Sequence, residues 1–156
     1  MYRPLWSERI LLEMGNALET KLRRTAFQRE RRVLAMRAAF PEAEVRFPED
    51  IPKAVTCIPD LNDRHVVAAA ICGSADVIVT LNKKHFPANC IEQYDLVCQT
   101  SDEFLARQFH LAPELVLEKV DLQAATLGQE RSFIVQQLRR MAPSFAGLLE
   151  QGVVGA

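Results

Sequence analysis

The stretch Pro59–Pro87 reads PDLNDRHVVAAAICGSADVIVTLNKKHFP and contains two elements of well-defined type. Small and apolar residues dominate Arg64–Cys72, after a polar run that ends at Asp63, which predicts a helix ended by Gly73. Asp76–Thr80 follows at once with three β-branched apolar residues in succession, which predicts a buried strand of a parallel sheet. A helix followed directly by a buried strand is typical of α/β domains.

Periodic apolar residues predict further elements on both sides of this stretch. Residues 44–47 and 94–98 are predicted to be short strands, and the rest of 41–59 to be connecting structure rich in proline. Ser7 and Ser101 are predicted helix caps. The predicted additional helices cover residues 8–18, 25–40, 101–109, 113–125, 129–140 and a short segment from 143.

This order of elements predicts two domains, an α/β domain over residues 1–100 and a helical domain over 101–156. The 156 residues are 49% hydrophobic and 25% charged, which is typical of a folded protein and excludes wholesale disorder. No apolar run approaches the roughly 20 residues that cross a bilayer, and no apolar signal segment follows Met1. We therefore expect no membrane partner.

The four cysteines form no C-x-x-C pair, and no histidine lies at zinc-finger spacing from them. Cys72 and Cys98 lie in apolar runs and are predicted to be buried thiols. A chain of this length needs no disulfide to fold, and without an export signal a reducing cytoplasm is the expected compartment.

The net charge of −1 hides an asymmetry between the two parts of the chain. Residues 1–40 hold nine Lys/Arg and four Asp/Glu, whereas residues 41–156 hold ten and sixteen. Guanidinium groups suit phosphate because each presents a planar fork of donors. The basic part is therefore either a solvated helix face or a surface for nucleic acid or an acidic partner. Its main contributors are Lys21, Arg23, Arg24, Arg29, Arg31, Arg32 and Arg37.

The runs Pro59–Ala70 and Ala75–Pro87 closely resemble the PIN-domain nucleases, and Tyr2–Ser7 with Glu13 matches the early helix of that family. The chain looks most similar to VapC-type toxins whose PIN domain is followed by a small helical domain. This resemblance implies an α/β, three-layer sandwich around a parallel sheet, with a C-terminal helical appendage. The family's first, central strand ends in an aspartate and has no counterpart here, so we expect a sheet without that strand.

The resemblance implies the toxin of a type II toxin–antitoxin system, acting as a metal-dependent endoribonuclease. Such an enzyme uses Mg²⁺ or Mn²⁺ to cleave RNA phosphodiesters. The implied partners are the RNA substrate, a small antitoxin protein and a second copy of the chain. The alternative is a catalytically degenerate PIN remnant that binds an antitoxin or RNA.

The family's acidic positions fall on Glu13 and Asp63, which the resemblance implies as catalytic carboxylates and metal ligands. Asp60 and Asn82 are implied as additional ligands, although Asn82 is neutral and offers only a carbonyl oxygen. Each carboxylate also has a simpler interpretation. Glu13 suits a solvated helix face, Asp63 suits a helix N-cap, and Asp60 suits a turn.

Substrate contacts are implied at the end of the buried strand and on the basic helices. Thr80 occupies a strand-end position, where open sheets bind ligands. His85 stands where relatives carry an aspartate, and it could bind Mn²⁺, contact phosphate when protonated, or be an ordinary loop histidine. The arginines proposed to bind RNA are Arg23, Arg24, Arg31 and Arg32.

Overall fold

A computed structural model describes residues 2–152, which form nine α-helices and two short strands. The helices are α1 Glu8–Thr20, α2 Ala26–Ala39, α3 Asp50–Ala54, α4 Arg64–Cys72, α5 Ala88–Ile91, α6 Ser101–Leu111, α7 Pro113–Thr126, α8 Arg131–Leu138 and α9 Pro143–Gln151. The strands are β1 Val77–Val79 and β2 Val97–Gln99.

The two strands pair in parallel, so the chain has the mixed α/β character that the sequence predicts. The N–H of Val97 donates to the carbonyl of Asp76, and the N–H of Thr80 donates to the carbonyl of Gln99. The described residues are mostly helical with this small sheet, which is consistent with a PIN-like fold. The three-layer sandwich stays a prediction.

The chain divides into two compact units. The first, called here the N-terminal unit, comprises residues 2–78 and 84–98. Its larger apolar cluster includes buried residues of α4 and β1. Its smaller cluster contains Trp6 and Leu11, a residue of α1. The buried members of the larger cluster are Val55, Ile58, Val67, Ala70, Ile78, Phe86, Cys90, Ile91 and Leu96. This unit carries most of the predicted site residues.

The second unit, called here the C-terminal unit, comprises residues 79–83 and 99–152. Helices α6 to α9 enclose one apolar cluster, in which Leu149 is fully buried. Predicted residues 153–156 of the helical domain, and Met1, lie outside the described part of the chain. None of the helices within residues 2–152 has both the length and the apolar character that crossing a membrane requires.

Helix α9 begins without a capping side chain of its own, because its N-cap is Ala142. The carboxylate of Asp102, on α6, accepts hydrogen bonds from the N–H groups of Phe145 at 2.9 Å and Ser144 at 3.2 Å. Desolvation acts to raise the pKa of Asp102, but these hydrogen bonds outweigh it and hold that pKa below its usual value. Asp102 therefore caps α9 from another helix, in the place of a local Ser or Asp.

We expect Asp102→Ala to destabilise the C-terminal unit by about 1 kcal/mol, the usual worth of a helix cap. Because the folded pKa is lowered, this stabilisation is complete above the ordinary Asp pKa of about 3.9 and is lost as pH falls through the folded value. Amide hydrogen exchange at Ser144 and Phe145 measures the effect. Glu118→Gln is the control, and equal protection in both variants would contradict the assignment.

Several local predictions were wrong. Thr100, not Ser101, is the N-cap of α6, because its hydroxyl accepts from the N–H of Glu103 while the Glu103 carboxylate returns to the N–H of Thr100. Residues 44–47 form no strand, and Glu44 makes only an isolated bridge with Trp6. The predicted strand over 94–98 begins only at Val97. The segment 41–59 was predicted to be connecting structure because it is rich in proline, but it contains helix α3.

The cysteine predictions also need correction. Cys72 is exposed and Cys98 is half-buried, so neither is a buried thiol. Cys57 and Cys90 form a disulfide, with Cα atoms 5.5 Å apart, that the sequence reasoning did not predict. Cys57 lies three residues before Asp60 and Cys90 lies five residues after His85, so the bond joins the two segments that carry candidate site residues.

Candidate functional site

A tight turn before α4 presents two carboxylates. Oδ1 of Asp60 accepts from the N–H of Asn62 at 2.8 Å, and the backbone carbonyl of Asp60 accepts from the N–H of Asp63 at 3.1 Å. Asp63 is the N-cap of α4 by position, but its side chain accepts no capping hydrogen bond. The carboxylate of Asp63 is therefore left for another partner.

That partner is His85, which ends a short 3₁₀ turn after β1. Nδ1 of His85 lies 2.6 Å from Oδ2 of Asp63, and both side chains are partly exposed. Since a carboxylate oxygen accepts, the ring donates through Nδ1–H. One ligand atom from each of Asp60, Asp63 and His85 lies within 4.8 Å of the others. Two carboxylates and an imidazole at this separation could hold a divalent cation.

Glu13 lies on α1 and takes part in a different set of contacts. Oε1 accepts from Nε of Arg9 at 3.1 Å, and Oε2 lies 3.3 Å from Nε2 of His65. The same Arg9 donates to the carbonyl of Asn62 at 3.3 Å. Glu13 thus faces the first turn of α4, while the group that gathers within 4.8 Å consists of Asp60, Asp63 and His85.

His65 is the residue that the sequence reasoning missed. Its imidazole is 2% exposed, in the first turn of α4. Burial lowers the pKa of His65 and Arg9 adds to this, whereas the carboxylates of Glu13 and Asp63 and the carbonyl of Asn62 act in the opposite direction. The available signal was a histidine at the start of an otherwise small and apolar helix, three residues after Asn62.

The strand that the sequence predicted as buried is buried only at Ile78, and Val79 is exposed. The two residues predicted at its end, Thr80 and Asn82, follow β1 in the C-terminal unit. Oγ1 of Thr80 accepts from the N–H of Asn82 at 3.1 Å. This hydrogen bond stabilises the turn that follows β1 and holds the backbone of Asn82 in place.

Five of the seven predicted basic residues are exposed in or just before α2, a helix with no buried residue, and Arg29 and Arg37 are half-buried. Arg29 pairs with Glu19 at 3.3 Å, and Arg37 pairs with Glu8 and Glu44. Within residues 2–152 no ion pair involves the other members, which are Lys21, Arg23, Arg24, Arg31 and Arg32. Four unpaired guanidinium groups on one segment form a positively charged surface that can accept phosphate.

Comparison with known proteins adds the family relationship. A family model described as PIN domain matches residues 1–84, slightly more than half of the chain. The chain is 46% identical over 52 residues to a protein named putative ribonuclease VapC50 from Mycobacterium tuberculosis. That match covers 33% of this chain and 31% of the relative, so it spans about a third of either protein. No solved structure matches the chain significantly.

Proposed function

Because the chain belongs to the PIN domain family, we propose that it is a VapC-like endoribonuclease that cleaves RNA phosphodiesters with a divalent cation. The observation that carries the proposal is the gathering of Asp60, Asp63 and His85 within the segment that matches the family or directly beside it. The name of the mycobacterial relative, a putative ribonuclease, points to the same substrate class.

The donor set fits the proposed cation. Carboxylate oxygens suit Mg²⁺ and Mn²⁺, and the imidazole of His85 adds a ligand that Mn²⁺ accepts more readily than Mg²⁺. Asp60 and Asp63 would hold the ion, and we propose Glu13 as a further oxygen ligand. The ligand role of Asn82 stays a prediction from the sequence. When bound, a divalent cation supplies Lewis-acid stabilisation of phosphate charge and a more acidic water.

We propose separate tasks for the other predicted site residues. Nδ1–H of His85 donates to Asp63, so the ring offers Nε2 to the cation, and we propose that it lies beside the RNA phosphate that the cation binds. We assign to Thr80 a positioning contact with the RNA backbone. Arg23, Arg24, Arg31 and Arg32 hold the phosphates of flanking nucleotides, which needs no base recognition.

As a VapC-like protein, the chain is proposed to pair with a small antitoxin and with a second copy of itself. The exposed apolar side chains of Phe27 and Leu34 on α2 are available for such contacts, at 73% and 58% exposure. These partners accompany the proposed role as the toxin of a type II toxin–antitoxin system.

The proposed activity is tested with purified chain and a structured RNA in Mn²⁺, in Mg²⁺ and in EDTA. We expect cleavage with either cation, faster with Mn²⁺ because of the histidine in the donor set. EDTA should abolish cleavage, and excess Mn²⁺ should restore it. Cleavage that persists unchanged in EDTA, or no cleavage under any condition, would overturn the proposal.

The arginine surface predicts salt-dependent RNA binding. Each phosphate contact on single-stranded RNA contributes about −0.7 to the slope of log K against log salt, so Arg31→Gln with Arg32→Gln should make that slope shallower by about 1.4. Fluorescence anisotropy of labelled RNA in EDTA measures it without cleavage. Arg46→Gln with Lys53→Gln removes the same charge elsewhere in the N-terminal unit. An equal change of slope in this control pair would show that net charge, not α2, decides binding.

A further inference from the structure

Arg9, on α1, donates hydrogen bonds to two separate segments of the N-terminal unit, and the function proposed so far gives it no part. Its Nε donates to Oε1 of Glu13 at 3.1 Å. Its Nη2 donates to the backbone carbonyl of Asn62 at 3.3 Å and to Oδ1 of the same residue at 3.4 Å. Asn62 lies between Asp60 and Asp63, so Arg9 is joined directly to the turn that carries both carboxylates of the donor set.

These contacts hold the Arg9 guanidinium by one edge. Nε and Nη2 face Glu13 and Asn62, whereas no hydrogen bond among residues 2–152 uses Nη1. The Arg9 side chain is 48% exposed, so a ligand from solvent can approach it. A side chain that is already held loses less conformational entropy when a ligand binds. Arg9 is therefore a pre-ordered positive charge whose Nη1 keeps its N–H donors for a ligand.

The balance of charge around the donor set gives this guanidinium a task. Asp60, Asp63 and the neighbouring Glu13 carry three negative charges, and one divalent cation offsets two of them. The backbone of RNA is itself negative, so a phosphate would meet a remaining negative charge at this place. The guanidinium of Arg9 offsets that charge. Its positive charge and its planar donors together suit a phosphate oxygen.

We propose that Arg9 binds, through Nη1, a phosphate of the RNA substrate next to the divalent cation. The role rests on the proposed ribonuclease function, in which Asp60 and Asp63 hold that cation. It is separate from the contacts assigned to the arginines around α2, because Arg9 is hydrogen-bonded to the turn of the donor set itself.

The kinetics of RNA cleavage in saturating Mn²⁺ test the phosphate contact. Arg9→Gln should lower kcat/KM by about 10–100-fold, because a hydrogen bond between charged groups is lost. Arg9→Lys should lose less, since lysine keeps the charge but not the fork of donors. Arg46→Gln is the matched control, because Arg46 is an exposed arginine of the same unit that also pairs with a carboxylate, that of Glu44. Equal values of kcat/KM for Arg9→Gln and Arg46→Gln would overturn the proposal.

The affinity for Mn²⁺ separates a phosphate contact from a merely structural role. If Arg9 only held the turn, its loss would loosen Asp60 and Asp63 and weaken Mn²⁺ binding about tenfold. We expect Arg9→Gln to bind Mn²⁺ at least as tightly as Arg46→Gln, since the substitution removes a positive charge near the carboxylates. Titration calorimetry without RNA measures this affinity. Weaker Mn²⁺ binding in Arg9→Gln than in the control would show a structural role and contradict the phosphate contact.

A binding measurement keeps this proposal apart from the ribonuclease function. If the chain cleaves no RNA, fluorescence anisotropy of labelled RNA in Mn²⁺ reports the same contact. Arg9→Gln should then bind RNA about tenfold more weakly than Arg46→Gln. That result contradicts only the cleavage function, whereas equal RNA affinity of the two variants contradicts the role of Arg9.

Discussion

Asp63→Asn is expected to lower the rate of RNA cleavage in Mn²⁺ by about two to three orders of magnitude. Asp63 is the carboxylate that the structure brings together with both Asp60 and His85. Loss of a charged ligand weakens the binding of the cation, and the cation's stabilisation of transition-state charge is worth several kcal/mol. The substitution also replaces the charged carboxylate that accepts from Nδ1–H of His85, at 2.6 Å, with a neutral amide. The rate at saturating RNA, measured across a Mn²⁺ titration, gives the effect.

The same substitution should leave stability nearly unchanged. The Asp63 carboxylate caps no N–H group of α4, and asparagine is itself a good residue at that position. Asp95→Asn is the matched control, since Asp95 is exposed and has φ of 57°, a conformation that asparagine tolerates. If Asp63→Asn cleaved RNA as fast as Asp95→Asn, the cation would not be held at this group.

The helix and strand of the Pro59–Pro87 stretch were predictable because their signals are local. Helix α4 spans Arg64–Cys72 as predicted, and β1 lies inside the predicted strand. Apolar periodicity and β-branched runs act over one element and do not depend on the rest of the chain. The same holds for the cap of α1 by Ser7, whose hydroxyl accepts from the N–H of Ile10.

The contacts that could not be predicted join residues far apart in the sequence. Asp102 caps a helix that begins 41 residues later, at Pro143, and no local residue at Ala142 signals it. His65 faces Glu13 from another helix, and a single sequence contains nothing that pairs them. Asp63 and His85 were both predicted as site residues, in different roles. Their 2.6 Å contact depends on how the turn before α4 and the 3₁₀ turn after β1 come together.

Reduction of the Cys57–Cys90 disulfide is expected to destabilise the N-terminal unit by about 3–4 kcal/mol. The bond closes a loop across 33 residues, and the chain-entropy account gives this magnitude for a loop of that length. Urea unfolding with and without dithiothreitol measures the change. Trp6 is the single tryptophan and is buried in the N-terminal unit, so its fluorescence reports on that unit alone.

The disulfide also predicts a link between redox state and the donor set, because it joins the segment before Asp60 to the segment after His85. Cys57→Ser with Cys90→Ser should unfold as the reduced protein does, with or without dithiothreitol, and should bind Mn²⁺ more weakly than the oxidised chain. Cys72→Ser, at an exposed free cysteine, should keep the full response to dithiothreitol. A reducing compartment, which the sequence alone suggested, would hold the chain in the less stable form. Identical unfolding curves for the oxidised and reduced chain would show that apolar packing around Cys90, not the bond, holds the two segments together.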